Sequence, residues 1–133
     1  MKILLVEDSK FLRLATERAL ARAGHRVNTA TDGEEGLLAA KEFQPELILL
    51  DMLLPKMAGL DVLKNLKKDP ATAAIPVVAL TGLSQKNAGK LQADGVVAFL
   101  EKSQLGLESG STALLAALSE IIKTLPAKAG ATR

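Results

Sequence analysis

Five short apolar runs alternate along the chain with longer segments in which apolar residues recur every three or four positions. Four of the runs are almost continuously apolar, which is typical of strands that are covered on both faces. The second run mixes polar and apolar residues, which indicates a strand at the edge of a sheet. We predict strands at Ile3–Val6, Val27–Ala30, Leu47–Leu50, Val77–Leu80 and Val96–Leu100.

The segments between these runs carry the start and stop signals of helices. Asp32 followed three residues later by Glu35 is a capping pattern that starts a helix, and Gly24 stands where the first helix should stop. The last segment has the most regular apolar stripe in the chain and is ended by Pro126. We predict helices at Lys10–Ala23, from the Asp32 cap to about Glu42, and at Gly59–Lys68, Gln85–Ala93 and Leu114–Leu125.

The strict alternation of strands and helices predicts the fold class. It indicates an α/β protein with a doubly wound, five-stranded parallel sheet, because right-handed crossovers place helices on both faces. The length of 133 residues allows one domain, which we assign to residues 1–125. Residues 126–133 have no periodicity, and we expect a mobile tail there. On this pattern alone, a small α/β domain of no inferable function is an equally good interpretation.

Composition removes several classes of function. The chain has no cysteine, which excludes disulfides, thiolate zinc sites and thiol catalysis. A net charge of +2 and three phenylalanines as the only aromatic residues argue against a nucleic-acid surface. No apolar run approaches the ~18 residues of a membrane span. We therefore expect a cytoplasmic protein that binds neither nucleic acid nor membrane.

Polar residues follow four of the predicted strands, where ligands bind in such a sheet. Clustered carboxylates repel one another, and Mg²⁺ relieves that repulsion with few protein ligands. A lysine and a threonine can donate to phosphoryl oxygens, and a carboxylate can attack phosphorus to give an acyl phosphate. Each residue alone would more often be a helix cap, a turn residue or a surface charge, but their coincidence favours a site. The residues are Glu7, Asp8, Asp51, Thr81, Glu101 and Lys102.

Four motifs occur in a fixed order, at Leu4–Ser9, Asp51–Gly59, Ile75–Gly82 and Phe99–Lys102. Together they resemble the response-regulator receiver domain of two-component signalling, and the resemblance extends more loosely to the last helix. It implies a flavodoxin-like (βα)5 fold and makes residues 1–125 a receiver domain. It also implies that a histidine kinase or a histidine phosphotransfer protein is the partner that supplies the phosphoryl group.

The resemblance assigns a role to each residue at the strand ends. It implies that Asp51 is the phosphoacceptor and that Asp8, Asp51 and the backbone carbonyl of Leu53 bind Mg²⁺. Glu7 would act on the metal through water. Lys102 would pair with a phosphoryl oxygen.

Two further residues are implied to form a switch. Thr81 would hydrogen-bond the phosphoryl group and shift toward it, and Phe99 would turn inward when Thr81 moves. Plain core packing is the competing interpretation of Phe99, because one face of any central strand is apolar.

The sequence departs from the family pattern after Lys102. The family usually has a cis proline there, whereas this chain has Ser103. A cis non-prolyl bond costs ~3 kcal/mol, so we expect a trans peptide. The loop Ser103–Ser111 looks longer than usual, which suggests a specialised output face.

We therefore predict a single-domain response regulator that is not an enzyme, takes its phosphoryl group from a phosphohistidine and either switches partner binding or relays the phosphate. A pseudo-receiver that never needs phosphate, and a receiver cut from a larger protein, remain alternatives. A magnesium-dependent phosphatase of similar topology would usually have a second aspartate two residues beyond its nucleophile, where this chain has Leu53.

Four smaller expectations follow. Divalent metal should stabilise the protein. The aspartyl phosphate should be long-lived, because Leu53 and Leu83 flank the approach of water without offering a polar group. His25 is expected to be a solvated loop residue.

The first helix and the turn after it carry cations that form a candidate docking face, although a generically soluble helix face is the simpler interpretation. These cations are Lys10, Arg13, Arg18, Arg22 and Arg26.

Overall fold

The computed structural model describes residues 1–54, 57–81, 95–101 and 112–125. The predicted helix at Gln85–Ala93, the loop Ser103–Ser111 and the tail 126–133 lie outside these ranges. The described elements are, in chain order, β1 (Lys2–Val6), α1 (Lys10–Arg22), β2 (Arg26–Ala30), α2 (Gly33–Phe43), β3 (Leu47–Asp51), α3 (Gly59–Lys68), β4 (Val77–Thr81), β5 (Ala98–Glu101) and α4 (Thr112–Thr124).

All described strands belong to one parallel sheet with the order β2-β1-β3-β4-β5. This confirms the predicted α/β fold. Every residue of β3 and β4 is buried, as their apolar runs predict, whereas β2 alternates in exposure and lies at an edge.

Alternate residues of each central strand face two different apolar layers. One layer packs against α2 and α3, and the other packs against α1 and α4. Leu4, Ile48 and Val77 face the first layer, while Leu5, Leu49 and Val78 face the second. Because both faces are covered, the strands need no polar alternation, which explains why their sequences are continuous apolar runs.

The predicted helix caps are confirmed with one difference in detail. Asp32 Oδ1 accepts a hydrogen bond from the Glu35 backbone N–H at 2.9 Å, as the capping pattern predicts. The Glu35 carboxylate reaches back to the backbone N–H of Thr31 at 2.8 Å, one residue before the cap. Ser9 was not predicted as a cap. Its side chain accepts a hydrogen bond from the Leu12 N–H at 3.3 Å and starts α1.

Two predicted element boundaries and the expected environment of His25 need correction. β5 begins at Ala98 and not at Val96, because Gly95 adopts a left-handed φ of 117° and the chain is still leaving that turn at Val96. Helix α1 ends at Arg22, since Gly24 at φ 94° already turns the chain away. His25 is partly buried, and its Nδ1 lies 3.2 Å from the Met1 amino nitrogen. Desolvation, followed by that amino group's charge, lowers the pKa of His25.

None of the helices in the described ranges is long and apolar enough to cross a membrane.

Candidate functional site

The carboxyl ends of β1, β3 and β4 lie side by side, because these strands are neighbours in the sheet. Glu7 and Asp8 follow β1, Asp51 ends β3 and Thr81 ends β4. Leu80 is the strand partner of Asp51, so Thr81 stands one residue beyond that pair. The structure thus brings these predicted site residues to one edge, as the strand-end pattern predicted. Lys102 lies outside the described residues.

Three carboxylates form the centre of this edge. Glu7, Asp8 and Asp51 each offer an oxygen atom, and these atoms all lie within 4.8 Å of one another. Glu7 and Asp51 are only 2% and 1% exposed, whereas Asp8 is open to solvent. Like charges placed so close, two of them in a buried environment, repel one another, and a cation bound between them would relieve that repulsion.

The donor set fits a magnesium ion. Ligand oxygens around one Mg²⁺, each about 2.1 Å from it, stand ~3 to ~4.2 Å apart. The spacing of the carboxylates needs little contraction to reach that range, and less if one of them acts through water. Oxygen-only donors with one exposed member are also what Mg²⁺ accepts, since it keeps several of its waters.

Backbone amides orient two of these carboxylates. The Leu53 N–H donates to Asp51 Oδ1 at 3.0 Å, and the Ser9 N–H donates to Glu7 Oε2 at 3.1 Å. The guanidinium of Arg13 donates from Nη1 to the backbone carbonyls of Glu7 and Asp8, at 3.2 Å each. The acidic edge is therefore held by main-chain donors and by one arginine of α1.

Gly59 sets how closely α3 approaches the end of β3. A Cβ on Gly59 would stand 2.5 Å from the Met52 Cα and 2.7 Å from the Asp51 carbonyl oxygen. No side chain fits without moving main chain. Glycine at the first residue of a predicted helix was the available signal, but its steric role shows only in the structure.

Thr81 and Phe99 lie on the same face of the sheet. Phe99 is the strand partner of Ala79, and Glu101 is the partner of Thr81, so Thr81 and Phe99 are diagonal neighbours. Thr81 is 5% exposed, and Phe99 is partly buried against the apolar layer beside α2 and α3. This packing fits the plain core interpretation of Phe99, and its switching role stays a prediction.

Leu53 directs its side chain to solvent and is 61% exposed. The side chain therefore does not pack against neighbouring helices. The Leu53 backbone N–H donates to the carboxylate of Asp51. Leu83, the other residue expected to shield the site, lies outside the described residues.

A family model, described as the response regulator receiver domain, matches residues 3–108. The chain belongs to the response regulator receiver family. This confirms the resemblance based on the four motifs and, with the parallel sheet, the flavodoxin-like fold class.

Curated relatives of this receiver domain are regulators of several kinds. It is 41% identical over 110 residues to a gliding motility regulatory protein of Myxococcus xanthus, covering 81% of this chain and 14% of the relative. It is 42% identical over 79 residues to the transcriptional regulatory protein AfsQ1 of Streptomyces coelicolor, covering 59% of this chain and 34% of the relative. The chain thus spans about a third or less of these relatives.

Solved receiver structures match nearly the whole fold. The chemotaxis protein CheY4 of Vibrio cholerae is 28% identical with a TM-score of 0.79, covering 90% of this chain and 97% of that chain. A phosphorylated cyanobacterial phytochrome response regulator, RcpA, is 32% identical with a TM-score of 0.78, covering 94% and 96%.

Proposed function

We propose that this receiver domain is a phosphorylation-dependent switch whose acceptor is Asp51. The observation that carries the proposal is the buried Asp51 carboxylate, held by the Leu53 amide within 4.8 Å of the carboxylates of Glu7 and Asp8. A buried carboxylate fixed at the end of a strand, next to a site for a divalent cation, is suited to accept a phosphoryl group.

The transfer is an in-line displacement at phosphorus. An oxygen of Asp51 forms the new P–O bond, the P–N bond to the partner's imidazole breaks, and the imidazole nitrogen keeps the electron pair. Glu7, Asp8 and Asp51 would hold Mg²⁺, with the Leu53 carbonyl as a further ligand. The bound ion supplies charge neutralisation for the phosphoryl oxygens.

Two other residues complete the proposed site. The Thr81 hydroxyl stands one residue beyond the strand partner of Asp51 and would donate to a phosphoryl oxygen. Lys102 follows β5 directly in sequence and would supply the pairing cation. Because Thr81 and Phe99 share a face of the sheet, movement of Thr81 toward the phosphoryl group would free space that Phe99 can enter.

We propose a phosphohistidine of a histidine kinase or phosphotransfer protein as the donor, and partner docking or phosphate relay as the output. The intact set of acidic residues supports this function over a pseudo-receiver. Leu53 stands where a phosphatase of this topology would need its acid/base aspartate, which supports an acceptor that is not an enzyme.

Whether the domain acts alone is a separate question. A stand-alone receiver is our first proposal. The small share of the relatives that it spans favours the second candidate, a receiver within a larger regulator.

Phosphorylation by a small donor tests the proposal. The purified protein is incubated with acetyl phosphate and Mg²⁺, and its intact mass is measured. We expect a gain of one phosphoryl group that requires Mg²⁺ and is absent from Asp51→Asn. Asp61→Asn, which changes an exposed carboxylate on α3, is the matched control and should be phosphorylated normally. Equal phosphorylation of Asp51→Asn and the unsubstituted protein would refute the assignment.

A further inference from the structure

We propose that Arg13 is a positioning residue for the magnesium site, which it serves by holding the backbone from which Glu7 and Asp8 project. The inference deepens the proposed function and rests on it, since the metal serves phosphoryl transfer. Within the described part of the chain, Arg13 makes no hydrogen bond to either carboxylate; it acts through the carbonyls of both residues.

The contact ties helix α1 back to the loop that precedes it. Arg13 is the first residue of α1 whose own N–H is satisfied by a carbonyl before the helix, that of Ser9 at 2.8 Å. From this fixed point its side chain returns toward β1, and Nη1 lies 3.2 Å from each of the two carbonyl oxygens. Both bonds come from this one nitrogen, whose two N–H groups have fixed directions in the guanidinium plane, whereas an ammonium rotates freely.

The two acidic residues differ in how much they depend on this contact. Glu7 is also fixed by its N–H, which donates to the Ala30 carbonyl at 3.0 Å, and by the Ser9 N–H on its carboxylate. Asp8 is exposed, so burial does not limit its orientation, and among the described residues it is held by the Arg13 bond to its carbonyl. Loss of Arg13 should therefore free Asp8 more than Glu7.

A change in charge and a loss of positioning have opposite effects on metal binding. A cation beside three carboxylates opposes the binding of Mg²⁺. If Arg13 acted only through its charge, removal of that charge would tighten Mg²⁺ binding. Loss of positioning weakens it, because residues that orient metal ligands typically contribute 10–100-fold to metal affinity. The direction of the change therefore separates the two explanations.

This role alters the expected docking face on α1. Arg13 is partly buried and its guanidinium is engaged by main chain, whereas Lys10, Arg18, Arg22 and Arg26 are exposed. Any docking through basic charge on this helix would rest on those four residues.

The test is a magnesium titration without phosphodonor, followed by amide NMR, on the protein and the variants Arg13→Met and Arg13→Lys. Arg13→Met should need about tenfold more Mg²⁺ for half-saturation. Arg13→Lys keeps the charge but loses the fixed directions of the two N–H groups, and should need about threefold more. Lys64→Met, which removes an exposed cation from α3, is the control and should leave the affinity unchanged.

A second arm measures phosphorylation by acetyl phosphate at rising Mg²⁺. Arg13→Met should reach the rate of the unsubstituted protein once Mg²⁺ saturates, because only the metal requirement changes. Unchanged or tighter Mg²⁺ binding in Arg13→Met would overturn the inference; if that variant does not fold, unchanged binding in Arg13→Lys would do so. A protein that shows the Arg13 effect on Mg²⁺ but is never phosphorylated would instead contradict the proposed function.

Discussion

Asp8→Asn should stabilise the metal-free protein and weaken its response to Mg²⁺. Two unit charges 4.8 Å apart repel by about 0.9 kcal/mol in water and by about 3.5 kcal/mol at an effective dielectric constant of about 20. Asp8 is exposed, so the lower value applies to its repulsion with each of its two neighbours. Removal of its charge should add about 2 kcal/mol to the free energy of unfolding without metal, which is a rise in Tm of about 5–8 °C.

Thermal melts in EDTA and in saturating Mg²⁺ measure both effects. The unsubstituted protein should gain stability from Mg²⁺, because a ligand that binds only the folded state stabilises it. Asp8→Asn should melt higher in EDTA and gain less from Mg²⁺. Asp61→Asn removes an exposed carboxylate outside the cluster, from the first turn of α3, and should lower both melts slightly and by the same amount. A Tm in EDTA that does not rise for Asp8→Asn would refute the repulsion argument.

Three further predictions concern docking, phosphate lifetime and helix packing. Charge reversal of Arg18 and Arg22 together should slow phosphoryl transfer from the partner but not from acetyl phosphate; equal slowing with both donors would refute a docking role. Replacement of Leu53 by Asn and Leu83 by Glu should accelerate loss of phosphate from the purified phosphoprotein. If the unsubstituted protein decays as fast as this double variant, the shielding argument is wrong. Gly59→Ala should destabilise the fold by at least about 2 kcal/mol in a denaturant melt, because its Cβ would press on main chain at 2.5 Å; a loss under about 0.5 kcal/mol would contradict this.

The ends of the central strands could be predicted because a buried parallel strand leaves a strong signal. A continuous apolar run that stops at a carboxylate or a hydroxyl marks both the strand and the polar edge, and Asp51 and Thr81 were found in this way. This pattern fails where an apolar residue is buried but does not belong to a strand. Val96 is buried and apolar but precedes β5, because the turn at Gly95 still sets its direction.

Contacts between a side chain and distant main chain leave no such signal. Arg13 looked like one of several surface cations on α1, and only the structure shows its guanidinium on the carbonyls of the acidic residues. The same holds for Gly59, whose need for close approach depends on where the end of β3 lies. Residue type and spacing thus predicted which groups carry the chemistry, but not which groups hold them.

Identification of the residue that carries the phosphoryl group tests the central claim most directly. The protein is phosphorylated with acetyl phosphate and Mg²⁺, the acyl phosphate is reduced with borohydride, and the digested peptides are mapped by mass. We predict that Asp51 alone is converted to homoserine. Conversion at another carboxylate, or none under conditions in which Mg²⁺ binds, would contradict the account.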